Sequence, residues 1–434
     1  MRAHLGPLRR HVGPPGPPDG VIEGARARGR SERAGRVAMA VAGIAALAVV
    51  AGAATAVHVG LLGGSGSTRS GSGMASGSTT WQSVNLPSGL SARGISCVGP
   101  DDCLLVGTSQ NGTGTSAIWQ DSAGAWTSVP FSGPGFLDGL TCVTADDCWA
   151  VGSHFTVPPG PNDGVTQPLI EHYFGSDFSA VTEPEVPGDA DDLSAVACVS
   201  ADDCWADGSY AANSENGGDG ILHPLLEHYD GSTWTVVSVV PSGPDGAGLT
   251  AITCAAANEC WAVGDGGALL EEFDGSGWSV LSGPALKGIG LASVACPGPA
   301  DCWAAGSTGA PQTPTAPLEA PLIAQYEGAG WDVASSPPVR GGPNGAVLSG
   351  IACSSQADCW AVGTIQEALW DLVGTPPPNT APPLIEHWDG GSWTVVGGLP
   401  VDTGGGGLID VTCVPSSDDC YAVGPDLFYA LAGG

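Results

Sequence analysis

Residues 225–237 read LLEHYDGSTWTVV. Apolar and polar positions alternate through LLEHY and again through TWTVV, which is the period of a strand with one covered face. The Asp-Gly-Ser between them supplies the residues that a tight hairpin turn needs. The same pattern returns as LIEHYFGSDFSAV at 169–181 and LIEHWDGGSWTVV at 384–396. Upstream of each lies a shorter pair of apolar stretches. One ends at a cysteine, as in Leu249-Thr-Ala-Ile-Thr-Cys254. The other opens with CWAVG or a close relative, as at Cys148, Cys260 and Cys359. Each unit therefore predicts four short strands, the fourth starting at an aromatic: Trp126, Phe178, Trp234, Trp278, Trp331 or Trp393.

The cysteines set the count. They fall into seven pairs: Cys97/Cys103, Cys142/Cys148, Cys198/Cys204, Cys254/Cys260, Cys296/Cys302, Cys353/Cys359 and Cys413/Cys420. Seven four-stranded units with a period of 42 to 60 residues are the signature of an all-β, seven-bladed β-propeller over 79–434. The seventh unit runs out at Leu427-Phe-Tyr-Ala-Leu431, before a fourth strand. Thr80-Trp-Gln-Ser-Val84 matches TWTVV at the opposite end of the array. Residues 79–87 are thus expected to complete blade 7 and close the ring, removing an exposed sheet edge.

Over about 80–434 the chain resembles exported bacterial β-propeller proteins of the broad kelch and BNR-like sort. That resemblance implies an architecture and no single activity. The DGSTW turns are similar to the Asp-box, but Asp230-Gly231-Ser-Thr-Trp234 is one residue shorter than S-x-D-x-G-x-T-W. The activities of Asp-box families are therefore not carried over.

Composition agrees with short strands: Gly and Pro together make about a quarter of the chain, and both disfavour long helices. The net charge of −32 hides a division. Residues 1–36 hold eight arginines against three acids, whereas 63–434 hold 41 acids against Arg69, Arg93, Lys287 and Arg340. Between them Val37–Val57 carries no charge and is long enough to cross a bilayer core of ~30 Å. The expectation is a cytoplasmic Arg-rich tail (1–36), a single transmembrane signal anchor (37–62), a flexible Gly/Ser linker (63–78) and a propeller outside the cell membrane. Ala54-Thr55-Ala56 also fits a signal-peptide cleavage pattern, which would leave the protein secreted. Both readings put the cysteines in an oxidising compartment, so each pair is expected as a disulfide joining the first two strands of one blade. Spacings of five or six residues, in separate repeats, do not suit a metal site.

Several recurring residues invite a chemical reading. Acids precede the second cysteine, as at Asp101-Asp102, Asp146-Asp147, Asp202-Asp203, Asp301, Asp358 and Asp418-Asp419. Clustered carboxylates suit calcium, but recurrence in every repeat favours turn formation. Glu171-His172, Glu227-His228 and Glu386-His387 occupy one strand position in separate blades and should not converge on a metal. The Trp residues after the second cysteine and in the fourth strand are expected to pack between blades. Long irregular loops follow the second strands, and on a propeller they emerge on the face of the blade-to-blade connections. Phe155, Tyr210 and Trp370 mark the ends or interior of these loops and are the candidate ligand contacts.

No phosphate loop, G-x-S-x-G elbow or H-E-x-x-H helix occurs, so no catalytic residue, cofactor or metal is assigned. The acidic charge opposes nucleic-acid binding. The leading expectation is a membrane-anchored, non-catalytic binding or scaffolding module for envelope protein or glycan. The alternative is an envelope polysaccharide hydrolase or lyase.

Overall fold

The structure, a computed structural model, describes residues 80–431 apart from 111–115, 156–165, 187–189, 212–221, 238–247, 265–269, 282–288, 309–319, 340–344, 366–381, 400–405 and single positions 123, 132, 134, 329, 335 and 416. The tail, the segment 37–62, the linker and Trp370 all lie outside the described residues. Among the described residues no helix is long and apolar enough to cross a membrane.

The chain forms seven antiparallel four-stranded blades, spanning 90–129, 136–180, 190–236, 249–280, 289–334, 346–395 and 410–431. Strand order within each blade follows the sequence. The exception is blade 7, whose fourth strand is Trp81–Ser83. It pairs antiparallel with Leu427–Leu431, Trp81 opposite Leu431 and Ser83 opposite Tyr429. The two ends of the described chain thus share one sheet.

Seven hydrophobic cores hold the ring, each between two consecutive blades. The indole of the second strand in one blade meets the fourth-strand indole of the next edge-to-face. Trp149/Trp234, Trp205/Trp278, Trp261/Trp331, Trp303/Trp393 and Trp360/Trp81 have centroids 5.2 to 5.4 Å apart. Aromatic edges meeting faces add to the area buried.

Every cysteine pair forms a disulfide, one per blade: Cys97–Cys103, Cys142–Cys148, Cys198–Cys204, Cys254–Cys260, Cys296–Cys302, Cys353–Cys359 and Cys413–Cys420. Their Cα atoms lie 3.9 to 4.1 Å apart. Each is the expected staple across a short turn between the first two strands, and it has a second role as well. The second cysteine is also a core residue. Cys148, Cys204, Cys260, Cys302, Cys359 and Cys420 are sealed from solvent, because the second strand faces the neighbouring blade on that side. Cys204 belongs to the core between blades 2 and 3, Cys302 to that between blades 4 and 5, and Cys420 to that between blades 6 and 7. These sulfurs therefore pack the ring and present nothing to a ligand.

Two local rules explain the repeat's glycines. The last residue of CWAVG sits so close to the first strand that a Cβ at Gly152 would lie 1.9 Å from the Phe136 carbonyl oxygen. Only glycine permits that approach. In the hairpin between strands three and four, Gly231 has φ +86° while the Asp230 carboxylate accepts the Ser232 and Thr233 amides. Opposite each CWAVG-type glycine the first strand of blades 1 to 6 carries a bulge. Such bulges bend a strand and re-aim a side chain. Residues of all seven first strands surround an axial cavity of about 310 Å³.

Candidate functional site

Blades 2 and 3 are joined at the loop-bearing face. Thr166 of the third strand in blade 2 pairs in parallel with Ala190 of the first strand in blade 3. That bridge extends one row of strand partners through both blades: Phe155, Thr166, Ala190, Ala211 and Leu222. At ~4.8 Å per strand step the row is about 20 Å long. Its ends carry two exposed apolar side chains, Phe155 at 42% and Leu222 at 44%. Phe155 leans edge-on against Phe136 at 6.1 Å. Tyr210 stands one position inward, paired with Asp191 and His223, and its ring lies 5.1 Å from the His223 imidazole. It is half-buried against the core between blades 2 and 3. The topology therefore places Phe155 and Tyr210 on one rim. Leu222, which sequence reading did not single out, joins them.

The Glu-His pairs divide between two environments because strand neighbours point to opposite faces. Each histidine lies flat on its blade's tryptophan: His172 on Trp149 at 3.7 Å, His228 on Trp205 at 4.1 Å and His387 on Trp360 at 3.9 Å. Their Nε2 atoms bond the acid that immediately precedes the second cysteine, at Asp147 (2.6 Å), Asp203 (2.9 Å) and Asp358 (2.6 Å). These three acids hold a histidine, a role that neither calcium nor turn formation anticipates. Among the described residues no cluster suits a metal ion.

The glutamates go inward. Glu171, Glu227, Glu271 and Glu386 are at most 1% exposed. The first three have no hydrogen-bond partner among the described residues, whereas Glu386 accepts the Ser336 hydroxyl. Burial pushes Glu171, Glu271 and Glu386 up to about 7. Glu227 rises to about 8 through burial, with repulsion from Glu183 and Asp191 adding to it. A carboxyl without water or partner favours its neutral form.

Asp207 joins this set. It stands in CWADG where five of the other six repeats carry valine and blade 5 carries Ala305, and burial first, then the neighbouring Glu271 and Asp192, raise it well above the ordinary value. The signal was legible as a break in the motif. All five groups are sealed from solvent between strands, so burial dominates their shifted titration.

No family model matches the chain, and no curated protein is similar to it in sequence. Solved structures do match in fold. YCF48 bound to D1 peptide aligns with TM-score 0.51 at 12% identity, over 83% of this chain and 99% of that one. The GH74 xyloglucanase of Xanthomonas campestris aligns with TM-score 0.52 at 14% identity, over 81% of this chain and 53% of its own. A catalytically inactive virginiamycin B lyase from Staphylococcus aureus, with quinupristin, aligns with TM-score 0.52 at 12% identity, over 81% and 99%. Identities this low establish the shared propeller fold alone.

Proposed function

We propose that the chain is a non-catalytic binding module whose blade 2–3 rim takes an extended segment of a partner protein at the cell envelope. The observation that carries this reading is the continuous row from Phe155 to Leu222. It is a rigid ladder about 20 Å long with exposed apolar side chains at both ends. Function on a propeller is expected where loops meet a fixed scaffold. A structural neighbour carries a peptide, which accords with protein binding on this fold. In this reading residues 37–62 anchor the chain, the arginines of 1–36 stay cytoplasmic, and 63–78 tether the propeller outside.

An envelope polysaccharide hydrolase is the competing reading, and one neighbour is a hydrolase. The carboxyls with the most raised titration would be its natural acids. Glu171, Glu227, Glu271, Glu386 and Asp207 are instead at most 1% exposed, beyond the reach of a polymer.

The test compares wild-type, fully oxidised protein with Phe155→Ser/Leu222→Ser. Each is cross-linked to envelope extract, and captured peptides are identified by mass spectrometry. Partners lost in the double variant support the rim. An identical capture profile removes the rim from the proposal, and release of saccharide from wall material would favour the hydrolase.

A further inference from the structure

Among the described residues there is one lysine or arginine, Arg93, and it lines the axial cavity. Its position follows from the bulge in the first strand, which turns the residue four before the first cysteine toward the axis. The equivalent residues in blades 2, 3, 4 and 6 are Asp138, Ser194, Thr250 and Ser349; Ala292 and Ile409 complete the ring. Five of seven axial positions are therefore polar, on strands that otherwise bury apolar side chains.

Much of this polarity is unspent. Arg93 Nη1 donates to Asp138 Oδ1 at 2.7 Å, and the pair bridges blades 1 and 2. The Arg93 side chain is still 50% exposed and that of Asp138 32% exposed. The rest of the guanidinium fork and the second carboxylate oxygen have no partner among the described residues. A guanidinium keeps five donors and a carboxylate about four acceptor sites, so one bond satisfies neither. The Ser194 and Ser349 hydroxyls are likewise unpaired among the described residues. The single Thr250 hydroxyl proton is shared between the Val263 and Leu291 carbonyls, and the oxygen keeps its acceptor sites.

We infer that the axial cavity binds a single uncharged sugar residue. Three features select this class. The ion pair is neutral as a unit and sets a donor directly beside an acceptor, which matches vicinal hydroxyls that each donate and accept; the other carboxylate of the lining, Asp410, already accepts the Ile95 and Val411 amides, one on each oxygen. The facing Ser194, Thr250 and Ser349 extend the same chemistry around the ring. The strongly acidic chain repels an anionic ligand, a penalty that a neutral polyol escapes. The volume, about 310 Å³, lies at the small end of ligand cavities and limits the occupant to one ring. This site is separate from the blade 2–3 rim and does not depend on it.

The test uses full-length protein with its disulfides formed, held in a sugar-free detergent where needed. Saturation-transfer NMR and calorimetry are run with glucose, galactose, mannose and glucuronate. The expected result is saturable binding of at least one neutral hexose, with glucuronate at least tenfold weaker. Arg93→Met and Ser349→Leu should each weaken the hexose at least tenfold while near-UV circular dichroism stays unchanged. Ser194→Ala serves as a milder variant, expected to weaken binding two- to fivefold if Ser349→Leu perturbs folding. No hexose binding by wild type would overturn the proposal. So would binding that ignores these substitutions, or a preference for glucuronate.

Discussion

The indole of Trp81 meets that of Trp360 edge-on, with centroids 5.2 Å apart and planes 81° apart. The first strand of the described chain thereby docks against blade 6 while it completes blade 7. Trp81→Ala should destabilise the ring by about 3–5 kcal/mol, the usual cost of emptying a tryptophan site. Denaturant midpoints will test this, and an unchanged midpoint would show that the closing strand contributes nothing.

The buried glutamates predict that the protein is more stable in acid than in base. Their folded values, about 7 to 8, lie above the ordinary 4.5. The folded state therefore holds more protons, and stability falls as pH rises. Their contribution is fully present below about pH 4.5 and is lost as pH climbs through 7 to 8. Full ionisation of each removes on the order of 3–5 kcal/mol. Asp358 works oppositely. Burial raises it, but hydrogen bonds from His387 and Ser354 outweigh that and hold it below the ordinary 3.8. Its contribution is present above 3.8 and is lost as pH falls through the lowered folded value. Calorimetric melting temperatures should drop steadily from about pH 5 to about pH 9, and Glu227→Gln should flatten the slope. A melting temperature that rises over this range contradicts the assignment.

Asp207→Val restores the residue that Val106, Val151, Val263, Val362 and Val423 provide elsewhere. It removes a buried acid lying near Glu271 and Asp192. A gain of about 1–3 kcal/mol is expected. Loss of stability in urea titration would instead assign this carboxyl a structural role in blade 3.

Every described cysteine is paired, so titration of unfolded, unreduced protein should find no free thiol. Removing one staple, as in Cys254→Ser/Cys260→Ser, should cost about 2 kcal/mol for so short a closed loop. Full reduction should lower the melting temperature far more than one pair does. Equal melting temperatures before and after reduction would count against this account.

Much of this architecture is legible in the chain. Period-2 alternation, DGS turns and recurrent CWAVG predict the strands and their order, because each answers to neighbours a few residues away. The partner of Leu427–Leu431 is legible for a different reason: the seventh unit lacks a fourth strand, and TWQSV at the other end of the array matches the TWTVV that the repeats carry there. The cysteine pairs, like the strands, are local. Spacing alone joins Cys97 to Cys103, since two strands meeting at a short turn bring them face to face.

Tertiary structure decided what depends on contacts between repeats. Spacing pairs Cys204 with Cys198, yet only the neighbouring blade seals its sulfur in a core. Glu171 and His172 are adjacent in sequence, yet one is sealed between blades and the other stacks on Trp149 beside Asp147. Strand alternation sends them to opposite faces, and only the packing of a neighbouring blade on each side says what each face meets. Phe155 and Leu222 lie 67 residues apart. They share a rim because Thr166 bridges to Ala190. Arg93 sits unremarked in LSARGIS until a bulge in its strand turns it to the axis and blade 2 brings Asp138 to meet it. Local chemistry builds one blade, and the closed ring of seven determines which of its side chains are buried, exposed or brought together.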